Sequence, residues 1–219
     1  MAKRAGTAKS GAAKARAGAA HSGADDAESR LVDAALTLAA AQGWRATSLA
    51  AIAAEAGLSL DQAYAACRSK HAILAAFRRR IDRAALAGPA PESDASGRDR
   101  LFDILMRRFD ALQPHQAALR AILRDSIGDP WAVLGAPALL RSMAWMLAAA
   151  GISTAGWPGM LRPQVLAGLY LWVLRDFLND DSSDLARTMA ALDRGLRRAQ
   201  SFLGIAGTAA AGDRDAAPG

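Results

Sequence analysis

Three histidines, one cysteine and 21 acids are the raw material for proton transfer, nucleophilic attack or metal binding in this 219-residue chain. Their spacing builds none of these. His21, His71 and His115 lie in separate segments, and none has an acid at a recognisable interval. Cys67 is the only cysteine, which excludes a disulfide framework and cysteine-based zinc sites and points to a reducing compartment. A lone cysteine ordinarily packs as a small hydrophobe, with redox sensing as the alternative. No nucleophile elbow, phosphate-binding loop or dinucleotide fingerprint occurs. Asp180, Asp181 and Asp184 offer oxygen ligands for a cation, but acids before a helix also suit its positive end. The expectation is a protein that is not an enzyme and uses no metal or cofactor.

Groups that contact rather than react remain, and helices must position them. The chain holds 56 alanines, 8 prolines and 12 aromatic residues, with almost no β-branched runs, so the expected fold class is all-α. The formal charge is +6, but residues 1–24 carry five bases and no acid, so the basic balance belongs mostly to that segment. It has no large apolar residue and is expected to be a disordered basic tail, either an arm for nucleic-acid phosphates or a solubilising segment. Residues 204–219 are expected to be a second disordered tail. No stretch combines the length and freedom from breakers of a membrane span, and no secretory signal is visible, so a cytoplasmic location is expected.

Leu31, Ala34, Ala35, Leu38 and Ala39 recur at helical spacing and predict a helix over about 27–42, ended by Gly43. Thr47 and Ser48 can cap a second helix over about 49–56, and Ser59 a third over about 60–67. A fourth follows from about Lys70 to Leu86. A short helix, a turn containing Gly57 and a second short helix have the spacing of a helix-turn-helix, placed in a domain over 25–86. The Pro- and Ser-containing stretch 87–97 reads as a linker. A C-terminal domain over 98–203 is expected to hold five more helices, about nine in all. Their expected spans are about 98–112, 115–127, 130–150 with a break near Gly135 and Pro137, 163–179, and a last one capped by Ser182 or Ser183. Residues 151–159 are expected to be a Gly-rich loop.

The run Leu31-Val32-Asp33-Ala34-Ala35, Gly43-Trp44, Thr47-Ser48, Ile52-Ala53, Ala56-Gly57-Leu58-Ser59, Tyr64, Ser69-Lys70 and Ile73-Leu74 resembles the DNA-binding region of TetR-type transcriptional regulators. The resemblance covers residues 30–74, about a fifth of the chain. It implies a ligand-responsive repressor that binds a palindromic double-stranded DNA operator as a homodimer. The DNA-contacting set it implies is Thr47, Ser48, Ser59, Asp61, Gln62, Tyr64, Ser69 and Lys70. Thr47 and Ser48 would cap the helix facing DNA and hold a phosphate, and Gln62 would pair with adenine through its amide. Tyr64 and Lys70 would donate to phosphates. Lys70 is also the only lysine outside the N-terminal tail, whatever the family. The sequence departs from the family where Asp61 replaces a small residue, Ala65 and Ala66 replace aromatic or basic ones, and Cys67 replaces a Phe that anchors the helix.

Trp131, Trp145, Trp157 and Trp172 all fall in the C-terminal half. A small apolar or lipid-like effector is expected there, in a pocket drawn from Phe109, Trp131, Met143, Trp145, Met146, Tyr170 and Trp172. Core filling is the competing account of the same residues. Leu166, Leu169, Val173, Phe177, Leu185, Met189, Leu192 and Leu196 are expected to form the homodimer interface, with burial inside one subunit as the alternative. Asp180-Asp181-Ser182-Ser183-Asp184 with Thr188, Leu192 and Arg194 is similar to the last helix of the ubiquinone-biosynthesis lipid-binding family. That likeness implies a second function, a lipid- or isoprenoid-binding accessory protein of the same fold without operator binding.

Overall fold

The computed structural model describes residues 5–89, 95–126 and 136–204, with side chains from Gly23 onward except Pro158. The described residues outside turns and loops are helical. In chain order the helices are α1 (Ala5–Gln42), α2 (Leu49–Glu55), α3 (Leu60–Ala66), α4 (Lys70–Leu86), α5 (Gly97–Leu112), α6 (Gln116–Asp125), α7 (Ala136–Ala149), α8 (Gly156–Phe177) and α9 (Ala186–Leu203). A 3-10 turn, Gln113–His115, joins α5 to α6.

Helix α1 begins well before the expected start, because the alanines of residues 5–22 have the highest helix propensity. The tail expected to lack structure over 1–24 thus enters α1 at Ala5, and its side chains lie outside the described residues. So does the tail from residue 205, together with Trp131 and the helix start expected at Pro130. Helix α8 begins at Gly156 and takes in part of the expected Gly-rich loop. Helix α9 is not capped by its own N-cap side chain. Leu185 holds that position in the left-handed region at φ 52°.

The chain divides into two compact units. The first holds residues 1–80 and 117–126; the second holds 81–116 and 127–219. The division falls inside α4, between Arg80 and Ile81, not in the 87–97 stretch.

In the first unit, α1 buries Leu31, Val32, Ala34, Ala35, Leu36 and Ala39. Leu38 from the expected stripe is only half-buried. Arg79 pairs with Glu28 at 2.7 Å and Arg80 with Asp33 at 2.5 Å, fixing the start of α1's packed face to α4. In the second unit, α5 buries Leu101, Ile104, Leu105, Phe109 and Leu112, and α8 packs along α9. Gly195 sets their approach, because a Cβ there would stand 3.2 Å from Leu169 Cγ and 3.4 Å from the Trp172 ring.

Candidate nucleic-acid interface

Helices α2 and α3 have seven residues each, too short to stand alone, and their ends are closed by specific bonds. The Ser48 hydroxyl accepts from the Ala51 N–H at 3.1 Å. The C-terminus of α2 is closed by Arg30, whose Nη2 donates to Ala56 O at 2.5 Å and Gly57 O at 3.0 Å. Gly57 must take φ 63° to turn the chain there. Helix α3 starts with a reciprocal box: the Ser59 hydroxyl accepts from the Gln62 N–H at 3.2 Å, and Gln62 Oε1 accepts from the Ser59 N–H at 3.0 Å. The inner face of α3 buries Ala63, followed by Cys67. Its outer face presents Leu60, Asp61, Gln62, Tyr64 and Ala65.

The turn between α1 and α2 is held from inside. Thr47 is 2% exposed, and its hydroxyl donates to Gly43 O at 2.8 Å. Lys70 Nζ donates to Trp44 O and Thr47 O, both at 2.6 Å, and lies 4.2 Å from the centroid of the Trp44 ring. Burial lowers the pKa of this ammonium, against the opposing field of Asp125. Asp125, at the end of α6, accepts the Arg45 N–H at 3.0 Å, a bond that holds its carboxyl below the usual range.

These contacts redistribute the expected roles. Thr47 caps no helix and faces no solvent; it braces the turn. Gln62 has its amide oxygen engaged in the cap, so the bidentate pairing expected with adenine would first have to break that bond. Lys70 has two of its three N–H donors on backbone carbonyls and acts first as a clamp. Ser48 and Ser59 are N-caps, and Ser69 has the same role for α4, accepting from the Ala72 N–H at 3.1 Å. Asp61 and Tyr64 are exposed on α3. Arg68 stands 5.9 Å over the Tyr64 ring and is also exposed. The sequence reading missed Arg68, although it stands two residues past the end of α3. It also missed Leu60, which shares Tyr64's face at i, i+4. Leu49, Leu60, Tyr64 and Arg68 rim a mainly apolar groove of about 400 Å³, with Leu31, Cys67 and Ile73 in its walls.

In the second unit, Phe109, Met143, Met146 and Tyr170 are each buried, and the Phe109 ring stacks on Tyr170 at 5.4 Å and meets Phe177 at 5.2 Å. Beside them Arg108 is 3% exposed, ion-paired to Asp82 and 5.1 Å over the Tyr170 ring. The second Asp82 oxygen accepts from the Ser142 hydroxyl at 2.6 Å. Trp145 and Trp172 point outward, at 62% and 42% exposed, so they do not line an interior pocket with the other four.

Seven of the eight expected interface residues are interior to the protomer. Leu166, Leu169, Val173, Phe177, Leu185, Leu192 and Leu196 are buried, since α8 and α9 cover each other along those rows. Met189 is exposed, one position off the row, because Thr188 is buried instead. The Thr188 N–H and hydroxyl both donate to Asp180 Oδ2 at 2.8 Å, while the Ser182 N–H and hydroxyl donate to Asp180 Oδ1. Burial alone would raise the Asp180 pKa, but these bonds hold it at about 2. The acidic segment is therefore a local brace for the start of α9. No group of His, Cys, Asp and Glu among the described residues could hold a metal ion, and no helix among them is long and apolar enough to cross a membrane.

Residues 31–77 match the family model of bacterial regulatory proteins, tetR family. The solved structure of a TetR transcriptional regulator from Nitrosomonas europaea is 25% identical over 80% of this chain and 98% of its own, with a TM-score of 0.66. A TetR transcriptional regulator from Rhodococcus sp. RHA1 shares the fold at 24% identity, over 78% of this chain and 96% of its own, with a TM-score of 0.56. No curated protein sequence matches the chain.

Proposed function

We propose that this chain, whose residues 31–77 match the family model of bacterial regulatory proteins, tetR family, is a cytoplasmic repressor that grips a palindromic operator as a homodimer and releases it when a small apolar effector binds its C-terminal unit. The observation that carries this reading is the α2–α3 pair. Both helices are N-capped, the turn between them is tied by Arg30, and the outer face of α3 is left uncovered. Such a face enters the major groove, where its first residues meet base edges. Ser48, Asp61, Tyr64 and Arg68 are the exposed groups for DNA, and the remaining N–H of Lys70 adds one donor. Phosphate contacts from the hydroxyls and cations set register, and the first turn of α3 supplies readout.

The dimer is proposed through the outward residues of the last two helices: Leu171 and Trp172 on α8, Met189 and Phe202 on α9, all more than 40% exposed. The effector is proposed to enter among Phe109, Met143, Met146 and Tyr170. An effector shifts the population only by as much as it prefers the releasing state. The alternative, a lipid- or isoprenoid-binding accessory protein, drew on the acidic segment before α9 and on Asp61, Ala65 and Ala66 in α3; the Asp180 brace supplies a local role for the first of these.

The test is selection from random duplex DNA by the full-length chain at about 0.2 M salt, which suppresses sequence-independent attraction of the basic tail. The expected product is an inverted repeat with half-sites about 34–36 Å apart. No enrichment by folded, dimeric protein would overturn the proposal.

A further inference from the structure

The first turn of α3 offers base edges an unusual set of groups. Gln62 has its carbonyl oxygen bound to the Ser59 N–H. Asp61 is an anion. The remaining side chain, Leu60, is 63% exposed although it opens a helix whose other face is packed. Single exposed leucines are ordinary. This one is not single, because Tyr64, also 63% exposed, follows at i+4, and Leu49, 41% exposed, faces the same groove. The apolar cluster sits on the outer face of α3, which the proposal above sets against DNA, next to the cation Arg68.

Duplex DNA presents one apolar group in its major groove, the C5-methyl of thymine, and aliphatic or aromatic side chains recognise it by contact. We infer that Leu60 is a specificity-determining residue that reads a thymine methyl in each operator half-site. This inference rests on the operator-binding proposal above. Leu60 supplies no hydrogen bond, so its preference for thymine comes from burying the methyl and shedding water from its own aliphatic surface. Tyr64, four residues on, closes one side of the contact and keeps the leucine from swinging away. The reciprocal Ser59–Gln62 box fixes the first turn, so Leu60 arrives with its backbone already placed. A base without that methyl leaves the side chain against an empty pocket edge, whatever hydrogen bonds it offers.

The test removes the methyl and nothing else. Each thymine of the duplex selected above is replaced in turn by deoxyuridine, which keeps Watson–Crick pairing, and affinity for the full-length chain is measured. One position per half-site is expected to lose about fourfold, and about fifteenfold when both half-sites are changed, from the transfer value of one methyl-sized group. In Leu60→Ala, which alters an exposed side chain and should keep the wild-type helicity and non-specific affinity, deoxyuridine and thymine at that position should bind equally. The inference is overturned if no thymine is methyl-sensitive, or if the sensitivity persists unchanged in Leu60→Ala. If no duplex is selected at all, the operator proposal fails and takes this inference with it. A selected duplex without methyl sensitivity leaves the operator proposal standing and removes this inference alone.

Discussion

The residues nearest the proposed DNA-facing surface divide into those that touch outward and those that hold the surface in shape. Lys70 belongs first to the second group. Its ammonium joins two carbonyls from opposite ends of the α1–α2 turn and covers the Trp44 ring. Lys70→Met keeps the aliphatic stem but leaves both carbonyls without that donor, at a cost of about 1–3 kcal/mol. The urea midpoint of the variant should fall accordingly; an unchanged midpoint with weaker DNA binding would contradict the clamp. The sequence made Lys70 visible, as the only lysine outside the N-terminal tail, but not its partners. Main-chain carbonyls leave no trace in side-chain spacing, so a residue that bonds to them looks free until the chain is folded. The same holds for Gln62: Ser59 and Gln62 stand three apart, as a capping box requires, yet the same amide also suits adenine, and only the geometry separates the two uses.

At the scale of elements, helix spans were legible where apolar residues recur and a glycine or serine bounds them. Lys70 to Leu86 matches α4 as expected, and α2, α3 and α5 differ by a residue or so. The beginnings of α8 and α9 were not legible. Glycine and proline over 151–159 read as loop, although a proline such as Pro158 is tolerated in a first helical turn, and Pro163, expected to open the helix, lies inside it. The serines ahead of α9 read as caps, and the Ser182 hydroxyl does accept the Ala186 N–H at 3.1 Å, but the Thr188 N–H is taken by Asp180, which the sequence reading did not single out for this. The Asp180 brace has a pH signature. Its folded pKa of about 2 lies below the ordinary carboxyl value of 3.8, so its contribution is complete above about pH 4 and is lost as pH falls toward 2. Asp180→Asn should lower stability at neutral pH, and the gap to wild type should narrow between pH 4 and pH 2. A gap constant over that range, measured by urea unfolding at each pH, would show that the charge of Asp180 does no bracing.

At the scale of the whole molecule, the sequence predicts two domains meeting in the 87–97 stretch, whereas the contact pattern divides the chain inside α4 and gives most of α6 to the first unit. Interior and interface were the hardest distinction, since a leucine row covered by a neighbouring helix has the same spacing as one covered by a second copy. Burial resolves it for Leu192 and its companions. The two kinds of position should therefore fail differently. Leu192→Ala should cost about 2–5 kcal/mol of protomer stability. Trp172→Glu should leave the protomer folded and shift sedimentation from dimer to monomer. A dimeric Trp172→Glu would place the interface elsewhere.

Cys67 gives the first unit a margin for change. The thiol is among the smallest side chains that can wall the groove below α3, and its neighbours Leu31 and Ile73 are almost wholly buried. A larger apolar group at this one position would extend into the groove and seat the reading helix more firmly; cavity-filling changes of this kind commonly add about 0.5–2 kcal/mol. Volume at residue 67 is therefore expected to trade thermal stability against free space beneath α3. One substitution there would adjust that balance without altering any side chain on the outer face of α3.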